Sequence, residues 1–160
     1  MIQRITHVDA QGGAWGLGLI QAEKDLHPDD WYFNCHFKDD FCMPGTVTGE
    51  GFGQLLMFYA FYIGFQTQLK NGKCATIRNL PQLGKYRGET RPKIGTITYQ
   101  LEVTAIGLEP RPYIVVEASL ISEGRTISMI KDLGMYFTEE NDIYAVSYQN
   151  KTFQLVPQGE

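Results

Sequence analysis

Cysteine is scarce in this chain and odd in number. Cys35, Cys42 and Cys74 are the only three, and the start, Met1-Ile2-Gln3-Arg4, lacks the apolar stretch of a secretion signal. Reduced thiols in a cytoplasmic protein are the expectation. No apolar run approaches the ~20 residues that span a bilayer; the longest, Leu55 to Phe65, suits a buried segment. Charged residues make up only 20% of the chain, and no window is polar enough for a disordered domain, a linker or a low-complexity tract. Internal repeats are absent as well. Cys35, His36 and Cys42 lack the paired short spacings that hold zinc. Gly49-Glu50-Gly51-Phe52-Gly53 fits neither the Walker A nor the dinucleotide fingerprint, and a net charge of −4 argues against nucleic acid.

What is present is a globular composition. The 160 residues are 43% apolar with nine Tyr and nine Phe, enough for one domain that buries roughly 70% of its unfolded surface. The charge is unevenly placed. Residues 70 to 93 hold seven of the fourteen Lys and Arg (Lys70, Lys73, Arg78, Lys85, Arg87, Arg91, Lys93) against the single acid Glu89, a net +6 that leaves −10 for the remainder. Such a concentration suits a phosphate group or an acidic partner, the alternative being a solvated hairpin face.

Alternation predicts strands over residues 2–8 and 14–24 around Gln11-Gly12-Gly13, and a short extended segment from Trp31 to Phe37. A helix is expected from Thr46 to about Gln66. It is apolar nearly all round, which implies burial on several sides, and it is weakened by Gly49, Gly51 and Gly53 at about 0.8–1.0 kcal/mol each. Four more strands follow: Cys74 to Tyr86, Thr96 to Leu108, Tyr113 to Ser122 and Thr126 to Phe137. A closing hairpin is read at Ile143 to Tyr148 and Thr152 to Val156. The sum is an α+β domain with about six antiparallel strands and one long buried helix.

One segment concentrates the chemistry. His36 precedes a Met43-Pro44-Gly45 turn, and Glu50 follows at the start of the apolar helix. A histidine, a carboxylate and a backbone N–H at the positive end of a helix dipole are the parts that proton abstraction beside a carbonyl requires. Glu50, between glycines, is expected to face a cavity. Gln54, one turn further on, is placed to support it, as is Thr46. A Cys35–His36 dyad fails because neighbours in an extended segment point to opposite faces. His7 and His27 read as structural.

From His36-Phe37 through Met43-Pro44-Gly45 to Glu50, the segment resembles the signature of the β-hydroxyacyl-acyl-carrier-protein dehydratases, the FabA/FabZ family. The likeness extends through Trp31-Tyr32-Phe33-Asn34-Cys35 upstream and Gln54-Leu55-Leu56 downstream, and resumes at Tyr86-Arg87-Gly88-Glu89, Pro92 and Thr98-Tyr99. It is greatest with dehydratase domains of polyunsaturated fatty acid synthases. The chain departs from the pattern where Asp39-Asp40-Phe41 stand for Gly-Asp-Pro, so that loop is expected to sit differently.

The resemblance implies a hot-dog fold over residues 1–138, its sheet wrapped around the helix, with 139–160 as a C-terminal extension. It implies dehydration of (3R)-3-hydroxyacyl thioesters to trans-2-enoyl thioesters in lipid biosynthesis, with His36 and Glu50 catalytic and Gly45 binding the carbonyl. No metal or redox cofactor is implied, the substrate being carried on phosphopantetheine. The implied partners are an acyl carrier protein, met by Arg87 and Arg91, and a second copy in a homodimer or tandem pseudo-dimer, with no membrane. A hot-dog acyl thioesterase and a non-catalytic acyl-binding domain of a synthase are the alternatives.

Overall fold

A single helix, α1 (Gly45–Tyr62), is the element around which the rest is arranged. The computed structural model describes residues 1–93 and 95–158. Among these described residues nine strands surround or follow α1: β1 (Arg4–Asp9), β2 (Leu19–Leu26), β3 (Gly72–Thr76), β4 (Leu83–Tyr86), β5 (Gly95–Gly107), β6 (Tyr113–Ser122), β7 (Arg125–Glu139), β8 (Tyr144–Gln149) and β9 (Thr152–Pro157). The first seven form one sheet in the order β1-β2-β5-β6-β7-β3, with β4 also on β7. All pairings in it are antiparallel.

Period-2 alternation in β5 sends Ile97, Tyr99, Leu101 and Val103 to the inner face, where they meet Phe52, Leu55, Leu56 and Tyr59 of α1. Each such side chain contributes about 1.5–3 kcal/mol on burial, which outweighs the glycine penalties within the helix. The glycines play different parts. A Cβ on Gly51 would stand 2.5 Å from the Tyr99 ring, whereas Gly49 and Gly53 face open space. Only Gly51 is demanded by close approach of helix and sheet. The expectation of burial on several sides is corrected too: Phe58, Phe61 and Tyr62 are exposed. The sheet covers one face of α1 and leaves the other apolar and open.

Several predicted boundaries moved for identifiable reasons. Residues 14–18 are turn rather than strand, because Gly13, Gly16 and Gly18 all take positive φ. The Trp31–Phe37 segment is not extended: Trp31–Asn34 form a 3-10 turn. Its consecutive aromatics Tyr32 and Phe33 are both buried, which a strand's alternation forbids. Asp30 anchors that turn by accepting from the Tyr32 hydroxyl at 2.7 Å and pairing with Lys24 at 3.0 Å. The helix stops at Tyr62 because Gly64 adopts φ 91°, after which Phe65–Gln68 make a further 3-10 turn. Such a left-handed glycine closes helices without strain.

The stretch read as one strand from Cys74 to Tyr86 is two. Between β3 and β4 the chain leaves β7: the Arg78 N–H donates to Val146 at 2.9 Å, and the Tyr148 N–H donates to Arg78 at 2.8 Å. The β8-β9 hairpin thus lies on the far side of the main sheet over a second core of Ile77, Val115, Tyr136, Ala145 and Val146.

Candidate active site

The loop between the 3-10 turn and α1 is short and closed by its own backbone. The Cys42 N–H donates to the His36 carbonyl at 2.8 Å, and the Phe37 N–H to Asp40 at 2.8 Å. Asp39, between them, takes φ 63°, a left-handed conformation that Asp tolerates better than most residues. The substitution of Asp for Gly there leaves the turn intact. Arg91 then pairs with Asp40 at 2.8 Å and with Glu89 on its other side, fastening the loop to the segment after β4. A second tie is the Met43 N–H, donating to the Thr90 carbonyl at 2.8 Å.

This scaffold fixes the histidine. His36 Nδ1 lies 3.2 Å from the Cys42 carbonyl oxygen. A carbonyl only accepts, so the neutral ring carries its proton on Nδ1 and presents an unprotonated Nε2. The Cys42 sulfur sits 3.5 Å from the same Nδ1. It is no nucleophile: burial, with the Glu89 and Asp40 carboxylates nearby, pushes its thiol pKa up and keeps it protonated. The thiol beside the histidine is therefore Cys42. Cys35, whose Sγ turns to the Tyr32 carbonyl at 3.4 Å, is not paired with it, although the extended geometry used to separate the two does not hold.

Gly45 opens α1 directly behind this loop. The Val47 and Thr48 N–H groups donate to the Pro44 carbonyl. The Gly45 N–H has no acceptor among the described residues, as expected at a helix start. His36, Gly45 and Thr48 line one hollow of about 260 Å³, closed on the other side by Tyr86, Glu89 and Ser128. Larger hollows lie elsewhere: one of about 620 Å³ beside Pro110 contains the Arg111–Asp142 ion pair, already satisfied at 2.8 Å. Size does not decide the site. The smaller hollow combines a free imidazole nitrogen with a helix-start N–H that is unpartnered among the described residues.

Glu50 is not in it. Thr48 and Phe52 are buried, and a residue two positions from each lies about 200° round the helix, which turns Glu50 to the open face of α1. There it is exposed and accepts from Gln54 Nε2 at 3.0 Å. The predicted cavity-facing carboxylate is corrected accordingly: within one chain, Glu50 and Gln54 meet each other but not His36. Thr46 is exposed at the first turn, while His7 and His27 lie on the surface.

The basic stretch separates in space. Lys93 pairs with Glu123, Lys73 donates to the Glu140 carbonyl, and Arg78 donates to the carbonyls of Pro157 and Gln158. Arg91 is engaged by Asp40 and Glu89. Arg87 is exposed and makes no ion pair among the described residues. Cys42, Thr48, Glu89, Thr90 and Ser128 line the hollow without having been picked out from the sequence. Glu89 lay within a segment the resemblance had marked; Ser128, one of several polar residues in β7, gave no signal. Among the described residues no three His, Cys, Asp or Glu side chains gather as a metal site requires, and no helix is long and apolar enough to cross a membrane.

Comparison with known proteins adds an independent line. A family model described as a FabA-like domain matches residues 1–131. One of the subunits of a polyunsaturated fatty acid synthase from Thraustochytrium sp. is 33% identical over 142 residues, an alignment covering 85% of this chain and 9% of that protein. This chain therefore corresponds to a small part of that relative. Among solved structures, a hypothetical protein from Staphylococcus aureus matches with TM-score 0.59 at 10% identity, covering 84% of this chain and 92% of the other. A thioesterase from Pseudomonas aeruginosa gives TM-score 0.55 at 16% identity, covering 84% and 80%. At such identities the structural matches speak for the shared hot-dog fold.

Proposed function

Because the chain belongs to the FabA-like domain family, we propose that it dehydrates (3R)-3-hydroxyacyl thioesters, carried on an acyl carrier protein or CoA, to trans-2-enoyl thioesters. The observation that carries this reading is the hollow in which His36, with Nδ1 committed to the Cys42 carbonyl, stands with the unpartnered N–H of Gly45. Nε2 takes the proton from C2. The thioester oxygen accepts from the Gly45 N–H, where the helix dipole stabilises the developing negative charge. The C3–O bond then breaks, and a proton from Glu50 leaves with the hydroxyl as water. The proton on His36 returns to solvent and Glu50 is reprotonated, so the cycle needs neither metal nor redox cofactor.

Glu50 serves from a second copy or a tandem pseudo-partner. The exposed Glu50, Phe58, Phe61 and Tyr62 on the open side of α1 favour this, since a contiguous apolar patch rimmed by polar groups suits an interface. The relative from a polyunsaturated fatty acid synthase supports a place in lipid biosynthesis.

A thioesterase remains the rival chemistry, favoured by the Pseudomonas aeruginosa neighbour. Incubation with short and medium 3-hydroxyacyl thioesters separates the two. Enoyl absorbance should rise without release of free thiol; thiol released faster than enoyl product forms would establish the thioesterase instead.

The carrier protein's phosphate and acidic surface are met by Arg87, an exposed cation between Tyr86 and Gly88 of the hollow that makes no ion pair among the described residues. Arg91, held by Asp40 and Glu89, is the weaker candidate. Arg87→Gln should lower kcat/KM for carrier-bound substrate by several-fold at low salt, with the deficit shrinking as salt rises. Minimal thioesters without phosphate should be indifferent to the change. Equal losses on both substrates would make Arg87 structural.

A further inference from the structure

Ser128 is one of the polar residues of the His36 hollow that the reaction above leaves unused. It lies on β7, opposite Tyr86 of β4 and Leu120 of β6, and is only 4% exposed. Its hydroxyl has no hydrogen-bond partner, a condition shared among the described residues only with Tyr99. Tyr99 stands under α1 at Gly51; Ser128 lines the hollow itself, beside Leu120 and Ile127. Buried hydroxyls are almost always satisfied. Ser128 borders the hollow, so a group that settles there is the partner at hand for its hydroxyl.

We infer that Ser128 hydrogen-bonds the oxygen on C3 of a 3-hydroxyacyl group and thereby makes the hollow select acyl chains oxygenated at that carbon. The inference rests on the dehydratase reading. In that reading the thioester oxygen has the Gly45 N–H, and His36 Nε2 addresses the hydrogen on C2. The hydroxyl on C3, one bond further along, is the next polar atom of the chain; Glu50 of the second copy meets it as a donor, and its remaining hydrogen-bonding capacity is open to Ser128. A serine hydroxyl both donates and accepts, so it holds an alcohol and the departing water equally well. A saturated chain would leave Ser128 buried and unpaired. Sites built to bond a substrate hydroxyl discriminate against ligands lacking it for that reason.

The test compares two pantetheine amides of equal chain length, one bearing a (3R)-hydroxyl and one saturated. The amide makes C2 less acidic than a thioester does and so suppresses turnover during calorimetric titration. Wild-type protein should bind the hydroxylated amide about tenfold more tightly, the ratio that one hydrogen bond of ~1.4 kcal/mol gives. Ser128→Ala should abolish the preference while leaving affinity for the saturated amide unchanged or improved. Ser128→Cys, which weakens the donor while placing a somewhat larger atom there, should follow Ala in losing the preference. With thioester substrate the Ala variant should show a raised KM and a smaller change in kcat.

Equal weakening of both ligands would mean that Ser128 serves the shared carbonyl or the packing, and an unchanged preference, or none in the wild type, would mean that solvent satisfies it. Each of these overturns the inference. A wild-type protein that forms no enoyl product, yet shows the preference and loses it on Ser128→Ala, would instead overturn the dehydratase reading and leave Ser128 as the recognition element of an acyl-binding site.

Discussion

His36→Ala should lower kcat for dehydration by ~10²–10⁴, the range typical for removal of a general base, while the protein remains folded. Both halves of this expectation follow from the loop. Its closure depends on main-chain groups, the Cys42 N–H on the His36 carbonyl and the Phe37 N–H on Asp40, which alanine keeps. What alanine removes is the imidazole whose Nδ1 is occupied by the Cys42 carbonyl and whose Nε2 is left to accept a proton. No neighbour replaces it. Cys42 is the nearest alternative base, but its thiol pKa is raised by burial and by the surrounding carboxylates, so it carries a proton when the enzyme works. The measurement is enoyl absorbance under saturating substrate, with thermal melting as the check on folding. A folded variant that keeps more than about a tenth of wild-type kcat removes His36 from the chemistry.

The place of the histidine beside the helix start was legible in the sequence because it is written locally, in a short motif whose turn and helix start follow from Pro44 and Gly45. Period and turn chemistry were likewise enough for Tyr113 to Ser122, which is β6 residue for residue, and for the β8-β9 hairpin. Failures came where distant residues decide. Trp31–Phe37 is rich in residues that favour strands, yet Lys24 and Asp30 hold it as a turn with Tyr32 and Phe33 facing the same core. The break between β3 and β4 needs β8, about seventy residues away, to capture Arg78. Ser128 is the same kind of case, since an unpartnered hydroxyl is a property of three-dimensional surroundings that no periodicity records. The basic stretch was dispersed in the same way: Arg91 and Lys93 reach acids, while Lys73 and Arg78 donate to backbone carbonyls.

The orientation of Glu50 is the point at which sequence and single-chain geometry part company, and it sets the second large effect. Glu50→Gln should lower dehydration by ~10²–10⁴ as well, because an amide cannot donate the carboxyl proton that leaves with the C3 hydroxyl. It should not stop exchange of the C2 hydrogen with deuterated water, since His36 and the Gly45 N–H are untouched. Followed by mass spectrometry, exchange without elimination separates the acid from the base. Because Glu50 points away from its own chain's hollow, a shared site makes a further demand. In a dimer of one His36→Ala chain and one Glu50→Gln chain, the second chain's histidine meets the first chain's carboxylate and rebuilds one of the two sites. Statistical reassortment then restores about a quarter of wild-type activity from two inactive variants, as two-fold symmetry requires. Separate tags on the co-expressed chains confirm that mixed dimers have formed. Mixed dimers that stay inactive would show that Glu50 does not reach across, leaving it a surface carboxylate paired with Gln54 and requiring another acid for the leaving hydroxyl.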